Sequence, residues 1–259
     1  MGQPLSATGT VEAGRTGLLA AGRRLAAVAA DLLFPPRCAW CAVDLPAAES
    51  VVVPRLCAPC AAEFAHAATE CPFAAPDRGA GTAGPGPTAG ATEPRCLVLG
   101  PYAGPLREAV LRCKRPAGAL VAQALGGLLA ERHAERLRAW CPDVVVPVPM
   151  HWLRRLGRGT SATGDIARGL ARAAGLPVVA ALRRTRATVM QNRLPVADRQ
   201  GNLADAIAVR RAVAGRRVLL VDDVMTTGAT LRACHRALAA GGAAAVAGVV
   251  VARARASDA

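Results

Sequence analysis

Apolar positions recur along this chain in two periods. Leu18, Leu19, Leu25, Val28, Leu32 and Leu33 keep helical spacing and stop before Pro35-Pro36, which predicts a helix ending there. From Leu97 onward, short apolar runs alternate with helical stretches. Residues 97–102 read as a strand, 104–114 as a short helix and 118–140 as one longer helix rich in Leu and Ala. Residues 143–149, Asp-Val-Val-Val-Pro-Val-Pro, read as a buried strand running into a proline turn. A helix over 163–174, a strand over 176–182, a strand over 218–223, a helix over 229–240 and a strand over 244–252 complete the series. Such alternation predicts an α/β fold, a mostly parallel sheet with flanking helices. Ligands of such sheets bind beyond the carboxyl ends of the strands. Pro147-Val148-Pro149 and Asp222-Asp223 both fall at predicted strand ends.

The gaps in the pattern predict the domain plan. Residues 1–15 are small, polar and unpatterned, so a disordered N-terminus is expected. Residues 16–71 hold the first helix and a cysteine-rich module. Residues 72–95 are Gly, Pro, Ala and Thr in low complexity and read as a flexible linker. Residues 96–259 form the α/β domain. Within it, residues 183–201 are basic and without period, and that length predicts a functional flap.

Composition changes the picture in three places. Hydrophobic residues are 53% and charged residues 19%, so a packed core is expected rather than wholesale disorder. Net charge is +14, carried almost wholly by arginine, with Lys114 the one lysine. That charge suits a phosphate-rich partner as well as a plain solvated surface. Aromatic residues are only 3%, which weakens a stacking platform for single strands, and Trp140 and Trp152 read as packing residues. No apolar run reaches the roughly 18 residues a membrane helix needs. Asp31 and the following Pro35-Pro36-Arg37 argue against an export signal. A cytoplasmic protein is expected.

Nine cysteines, an odd number, argue against a full disulfide framework. Cys38-Ala-Trp-Cys41 and Cys57-Ala-Pro-Cys60 are two CxxC turns separated by fifteen residues. Each turn can set two thiolates on one tetrahedral ion, so a structural zinc on Cys38, Cys41, Cys57 and Cys60 is expected. Two unrelated cysteine pairs are the plainer alternative. Cys71 and Cys96 flank the linker and read as isolated thiols.

The stretch 217–231, RVLLVDDVMTTGATL, carries the chemistry. A buried strand ends on Asp222 and Asp223, then Thr226-Thr227-Gly228 leads into a helix. Free N–H groups at a helix start and threonine hydroxyls form an anion site. The acids would repel a phosphate, so sugar hydroxyls are their natural partners. Asp222 and Asp223 capping a strand in solvent is the bland alternative.

This loop resembles the phosphoribosyl pyrophosphate (PRPP) motif of type I phosphoribosyltransferases. The wider order resembles the ComF family of competence-associated, phosphoribosyltransferase-like bacterial proteins: Leu32-Leu-Phe-Pro-Pro-Arg-Cys38, paired CxxC, Tyr102-Ala-Gly-Pro-Leu-Arg107, Lys114, Pro147-Val-Pro-Met-His151, Arg158-Gly159, Gln191, Arg199, Asn202 and the loop. The resemblance implies roles. Asp222 and Asp223, the catalytic pair, would hold the ribose hydroxyls. Thr226, Thr227, Gly228, Ala229 and Thr230 would cradle the 5-phosphate. Pro147, Val148 and Pro149 would form the pyrophosphate loop with Mg²⁺, and Arg158 or Arg199 would steady the departing pyrophosphate. The chain departs from the family at 158–162, where Arg-Gly-Thr-Ser-Ala stands in place of Arg-Gly-Phe-Asn-Gln, and the contacts made there are in question. Lys114 and His151 each read equally as site or surface residues.

Two functions of different class follow. One is PRPP binding with phosphoribosyl transfer to a nitrogen nucleophile and release of pyrophosphate. The other is a non-catalytic component of DNA uptake, binding single-stranded DNA or a protein of the competence machinery. The loop argues for binding, and the altered 158–162 segment leaves turnover open.

Overall fold

The computed structural model describes residues 36–46, 54–65, 69–72, 95–150, 161–185 and 207–254. The expected helix before Pro35, most of the 72–95 linker, His151, Trp152, Arg158, Gln191, Arg199 and Asn202 lie outside the described residues.

Five strands form the main sheet, in the order β1 (Thr69–Pro72), β2 (Arg95–Pro101), β7 (Ala245–Arg253), β6 (Arg217–Met225) and β3 (Val144–Pro147). Every neighbouring pair is parallel except β1–β2 at the edge. Interior strand β6 shows why the apolar runs are continuous. Val218, Leu219, Leu220 and Val221 are all fully buried because both faces are covered. Burying each such side chain is worth about 1.5–3 kcal/mol, so this strand contributes heavily to the stability of the sheet.

Alternation along β6 divides the core in two. Leu219 and Val221 pack with Val249 and Val251 of β7 against α2 (Gly104–Cys113), α3 (Ala119–Arg132) and α5 (Ala162–Ala174). Val218 and Leu220 pack with Val250 against α6 (Ala229–Ala240) and a two-stranded ribbon, β4 (Leu182–Arg184) with β5 (Ile207–Val209). By the same alternation Asp222 faces the α6 side and Asp223 the α2 side.

The cysteine-rich module holds α1 (Ala58–Phe64) and docks on α2. Phe64 is fully buried and meets Trp40 edge-on at 5.2 Å between centroids. Arg112 stacks on Trp40 at 5.2 Å and donates to the Trp40 carbonyl at 3.2 Å.

Four expectations change. The single helix over 118–140 is two, α3 and α4 (Ala134–Trp140), broken at His133. The His133 ring is buried and meets the Val98 carbonyl of β2 at 3.3 Å, and its backbone leaves the helical path there. The strand expected over 176–182 contributes one bridge to the main sheet, Val145 with Val178, and its last residue, Leu182, opens β4 opposite Val209 instead. Pro177 has no N–H to extend a ladder, and the chain turns away where the Ala181 amide donates to the Val179 carbonyl at 2.8 Å. The motif strand does not stop at the acids. It stays paired with β7 through Met225 and Arg253. Finally, Cys71 and Cys96 are not isolated. They sit directly opposite one another in the β1–β2 ladder, with the Cys71 sulfur 3.8 Å from the Cys96 carbonyl oxygen. The Cys96 side chain lowers the Cys71 thiol to about 7.

Candidate functional site

The site lies at the carboxyl edge of the parallel strands, where β3 ends beside Val221 and β6 runs on through the acids to Met225. Pro147 is in register with Val221, and the Val148 amide donates to the Val221 carbonyl at 2.9 Å. That pairing sets the 147–149 turn beside the acidic pair. Arg184, in the ribbon, donates from Nε to the Pro149 carbonyl at 3.1 Å and ties the ribbon's base to the same turn.

Asp222 and Asp223 lie within β6, both partly buried. The Asp223 amide donates to Asp222 Oδ1 at 2.9 Å, and the Val224 amide to Asp223 Oδ1 at 2.8 Å. Burial, with the Asp223 charge beside it, pushes the Asp222 carboxyl well above the usual carboxylate range. On the other face, Lys114 Nζ sits 3.0 Å from Asp223 Oδ2. The two acids are therefore different chemically. Asp222 is crowded by burial and by its neighbour's charge, while Asp223 is ion-paired.

The loop after β6 is shaped by Gly228, whose φ of 74° is left-handed and favours glycine. It places Thr226 and Thr227 in solvent and starts α6 with no side-chain cap. The first amides of a helix have no intrahelical partner, so they face the loop with the positive end of the helix dipole behind them. Ala229 N reaches Thr227 Oγ1 at 3.4 Å, and Arg232 donates to the Thr227 carbonyl at 2.8 Å. The result is an anion-ready loop beside a carboxylate pair. It suits a ligand with a phosphate at one end and hydroxyl donors next to it.

Of the expected site residues, Pro147 and Val148 meet β6 at Val221, next to Asp222 and Asp223, Pro149 follows in the same turn, and the 226–230 loop continues from the end of β6. Arg158 and Arg199 lie outside the described residues. Of the altered segment, Ser161 caps α5, its Oγ accepting from the Gly164 amide at 3.2 Å. Serine at that place thus serves the helix. Buried Asp165 in the first turn of α5 pairs with Arg168. Sequence reasoning did not single out Arg184 or Arg232, since thirty-two basic residues gave no signal for two of them.

Cys38, Cys41, Cys57 and Cys60 form a second constellation. Their sulfurs all lie within 4.8 Å of one another, with Cys41 and Cys57 at 3.6 Å. A tetrahedral ion with thiolates at about 2.3 Å needs sulfurs about 3.8 Å apart, so the four fit one ion. Burial opposes ionisation of Cys38, but backbone amides, the Cys57 N–H at 3.3 Å among them, outweigh it and bring the thiol to about 6. Burial and the neighbouring thiols push Cys60 the other way. Among the described residues no helix is long and apolar enough to cross a membrane.

The family model described as phosphoribosyl transferase domain matches residues 117–259. The chain is 34% identical over 156 residues to DNA utilization protein YhgH of Escherichia coli (strain K12), covering 59% of this chain and 69% of that protein. It is 30% identical over 151 residues to Competence protein F of Haemophilus influenzae, covering 56% and 66%. Similar solved structures include the allosteric regulatory enzyme of purine biosynthesis, at 25% identity and a TM-score of 0.39. That match covers 55% of this chain and 30% of that one. Another is the purine phosphoribosyltransferase of Pyrococcus horikoshii Ot3, at 19% identity and a TM-score of 0.30, covering 46% and 76%.

Proposed function

This chain belongs to the ComF family and carries its phosphoribosyl transferase domain, and from that premise we propose that it binds PRPP with Mg²⁺ at the edge of β6. The observation that carries the reading is one juxtaposition: the 147–149 turn meets β6 at Val221, the Asp222–Asp223 pair follows at once in β6, and the Thr226–Gly228 loop opening α6 follows the strand's end. In this reading the loop amides and threonine hydroxyls hold the 5-phosphate. Asp222 and Asp223 accept from the ribose hydroxyls, and the 147–149 turn receives the pyrophosphate. A carboxylate pair beside phosphates is the hard-oxygen donor set magnesium takes. When bound, Mg²⁺ would neutralise charge on the pyrophosphate. The reaction such a site supports is displacement of pyrophosphate from the anomeric carbon by a nitrogen nucleophile. Positive charge builds on the ribose in that step, and the carboxylates beneath it are placed to stabilise it. Arg158 and Arg199 are assigned to the leaving pyrophosphate on resemblance alone. Calorimetric titration with PRPP and Mg²⁺ tests binding. Pyrophosphate release across a panel of nitrogen nucleophiles tests transfer.

The ion for the four cysteines is proposed to be zinc, in a structural role, because four thiolates leave no open position. The domain plan proposed is an N-terminal module over 16–71, a linker over 72–95 and the transferase domain from 96, with the module's end entering the transferase sheet as β1, where Pro72 is paired with Arg95. The thiol-rich chain suits the reducing cytoplasm.

A second reading rests on the names of two relatives, DNA utilization protein and Competence protein F, with the +14 charge. It is a non-catalytic role in DNA uptake, through single-stranded DNA or a competence protein. Affinity for single-stranded DNA at two salt concentrations tests it, and weak binding at low salt counts against it.

A further inference from the structure

The two acids of the motif pose a problem for an anionic ligand, and one side chain answers it. Of thirty-two Lys and Arg residues in the chain, Lys114 is the only lysine, and its ammonium is 3.0 Å from Asp223 Oδ2. A chain that uses arginine almost everywhere has its one ammonium at the motif acid. Its position is prepared from both sides. Lys114 ends α2, with its own amide on the Leu111 carbonyl at 3.2 Å. Cys113 just before it is buried in the core, and Arg112 fastens the same turn to Trp40 of the cysteine module. The Lys114 side chain keeps 31% of its exposure, so it is not sealed from solvent where it meets Asp223.

We propose that Lys114 is a ligand-binding residue of this site, bridging Asp223 and an anionic oxygen of the bound sugar phosphate. The inference rests on the PRPP reading above. An ammonium has three donors on a compact centre. One stays on Asp223, and another is free for a phosphate oxygen. The bridge cancels the repulsion between the acid and the ligand while leaving Asp223 Oδ1 to the backbone and the ribose. A guanidinium is planar and matches a carboxylate with two parallel bonds. Arginine at 114 would spend its fork on Asp223 and fill the space the ligand oxygen needs.

The single lysine makes the test clean. The full-length, zinc-loaded protein is acetylated with an amine-reactive ester, with Mg²⁺ alone or with Mg²⁺ and PRPP, and the rate at Lys114 is read by peptide mass spectrometry. PRPP titrations by calorimetry follow for wild type, Lys114→Arg and Lys114→Met. The expected result is protection of Lys114 by PRPP. Both variants are expected to bind about 10- to 100-fold more weakly, the scale of one hydrogen bond to a charged group. Wild-type binding with unchanged Lys114 reactivity, or with full affinity in the variants, overturns the bridge and leaves the PRPP reading standing. Absence of wild-type binding takes down both. Should Lys114→Met not fold, Lys114→Arg and the acetylation of wild type decide the matter.

Discussion

Gly169 of α5 lies so close to α3 that a Cβ built there would sit 1.9 Å from the Gln123 carbonyl oxygen. The contact is reciprocal, since a Cβ at Gly126 would sit 2.1 Å from the Ile166 carbonyl oxygen. Two glycines thus let α3 and α5 pack backbone to backbone beneath the sheet. Gly169→Ala is expected to destabilise the protein by about 1–3 kcal/mol through overpacking, read as a lower urea midpoint. Gly164→Ala is the control. A Cβ there meets side chains and no backbone, Ser161 at 3.3 Å and Arg168 Nη1 at 3.9 Å, and alanine is the better helix former. Equal midpoints for the two variants would show that the helices are not held this closely.

The buried His133 predicts a pH dependence. Burial holds its imidazole below the ordinary value of 6.5, with Arg136 and Arg132 acting the same way and Glu70 and the Val98 carbonyl opposing. The fold therefore prefers the neutral ring. Below about pH 6.5 the unfolded chain takes up a proton that the folded chain resists, so stability falls as pH falls. The loss levels off once pH passes below the folded value. His133→Gln should show a smaller drop in melting temperature than wild type between pH 7 and the acid limb. Parallel curves would mean that His133 does not titrate on unfolding.

Metal loading of the four-cysteine cluster should be one ion per chain by elemental analysis. Cys60→Ser should lose it. The module packs Phe64 and Trp40 against α2, so metal loss is expected to free this face and raise protease cleavage near Ala58–Phe64. Zinc-free protein with the same cleavage pattern as loaded protein would argue that the module folds without metal.

The sequence made some of this legible and hid the rest for physical reasons. Strands β2, β3, β6 and β7 showed as apolar runs because both faces of the sheet are covered, and α6 matched residue for residue. The acidic loop was visible because its elements are consecutive. The break at His133 was not, because periodicity in 118–140 continues through it and only a tertiary contact with Val98 bends the chain. The 176–182 run is apolar yet makes one bridge to the main sheet, because it passes the sheet's edge and continues into the β4–β5 ribbon at Leu182. Cys71 with Cys96, and Lys114 with Asp223, are pairings across long separations, which spacing along a chain does not encode.

The central claim is that the end of β6 binds PRPP. Its most direct measurement is calorimetric titration of zinc-loaded protein with PRPP in Mg²⁺, for wild type, Asp222→Asn and Asp223→Asn, each with a thermal melt to establish folding. Saturable wild-type binding, weakened about tenfold or more in Asp223→Asn and Asp222→Asn, is the predicted result. A folded wild-type protein that gives no saturable binding, or variants that bind as well as wild type, would contradict the account.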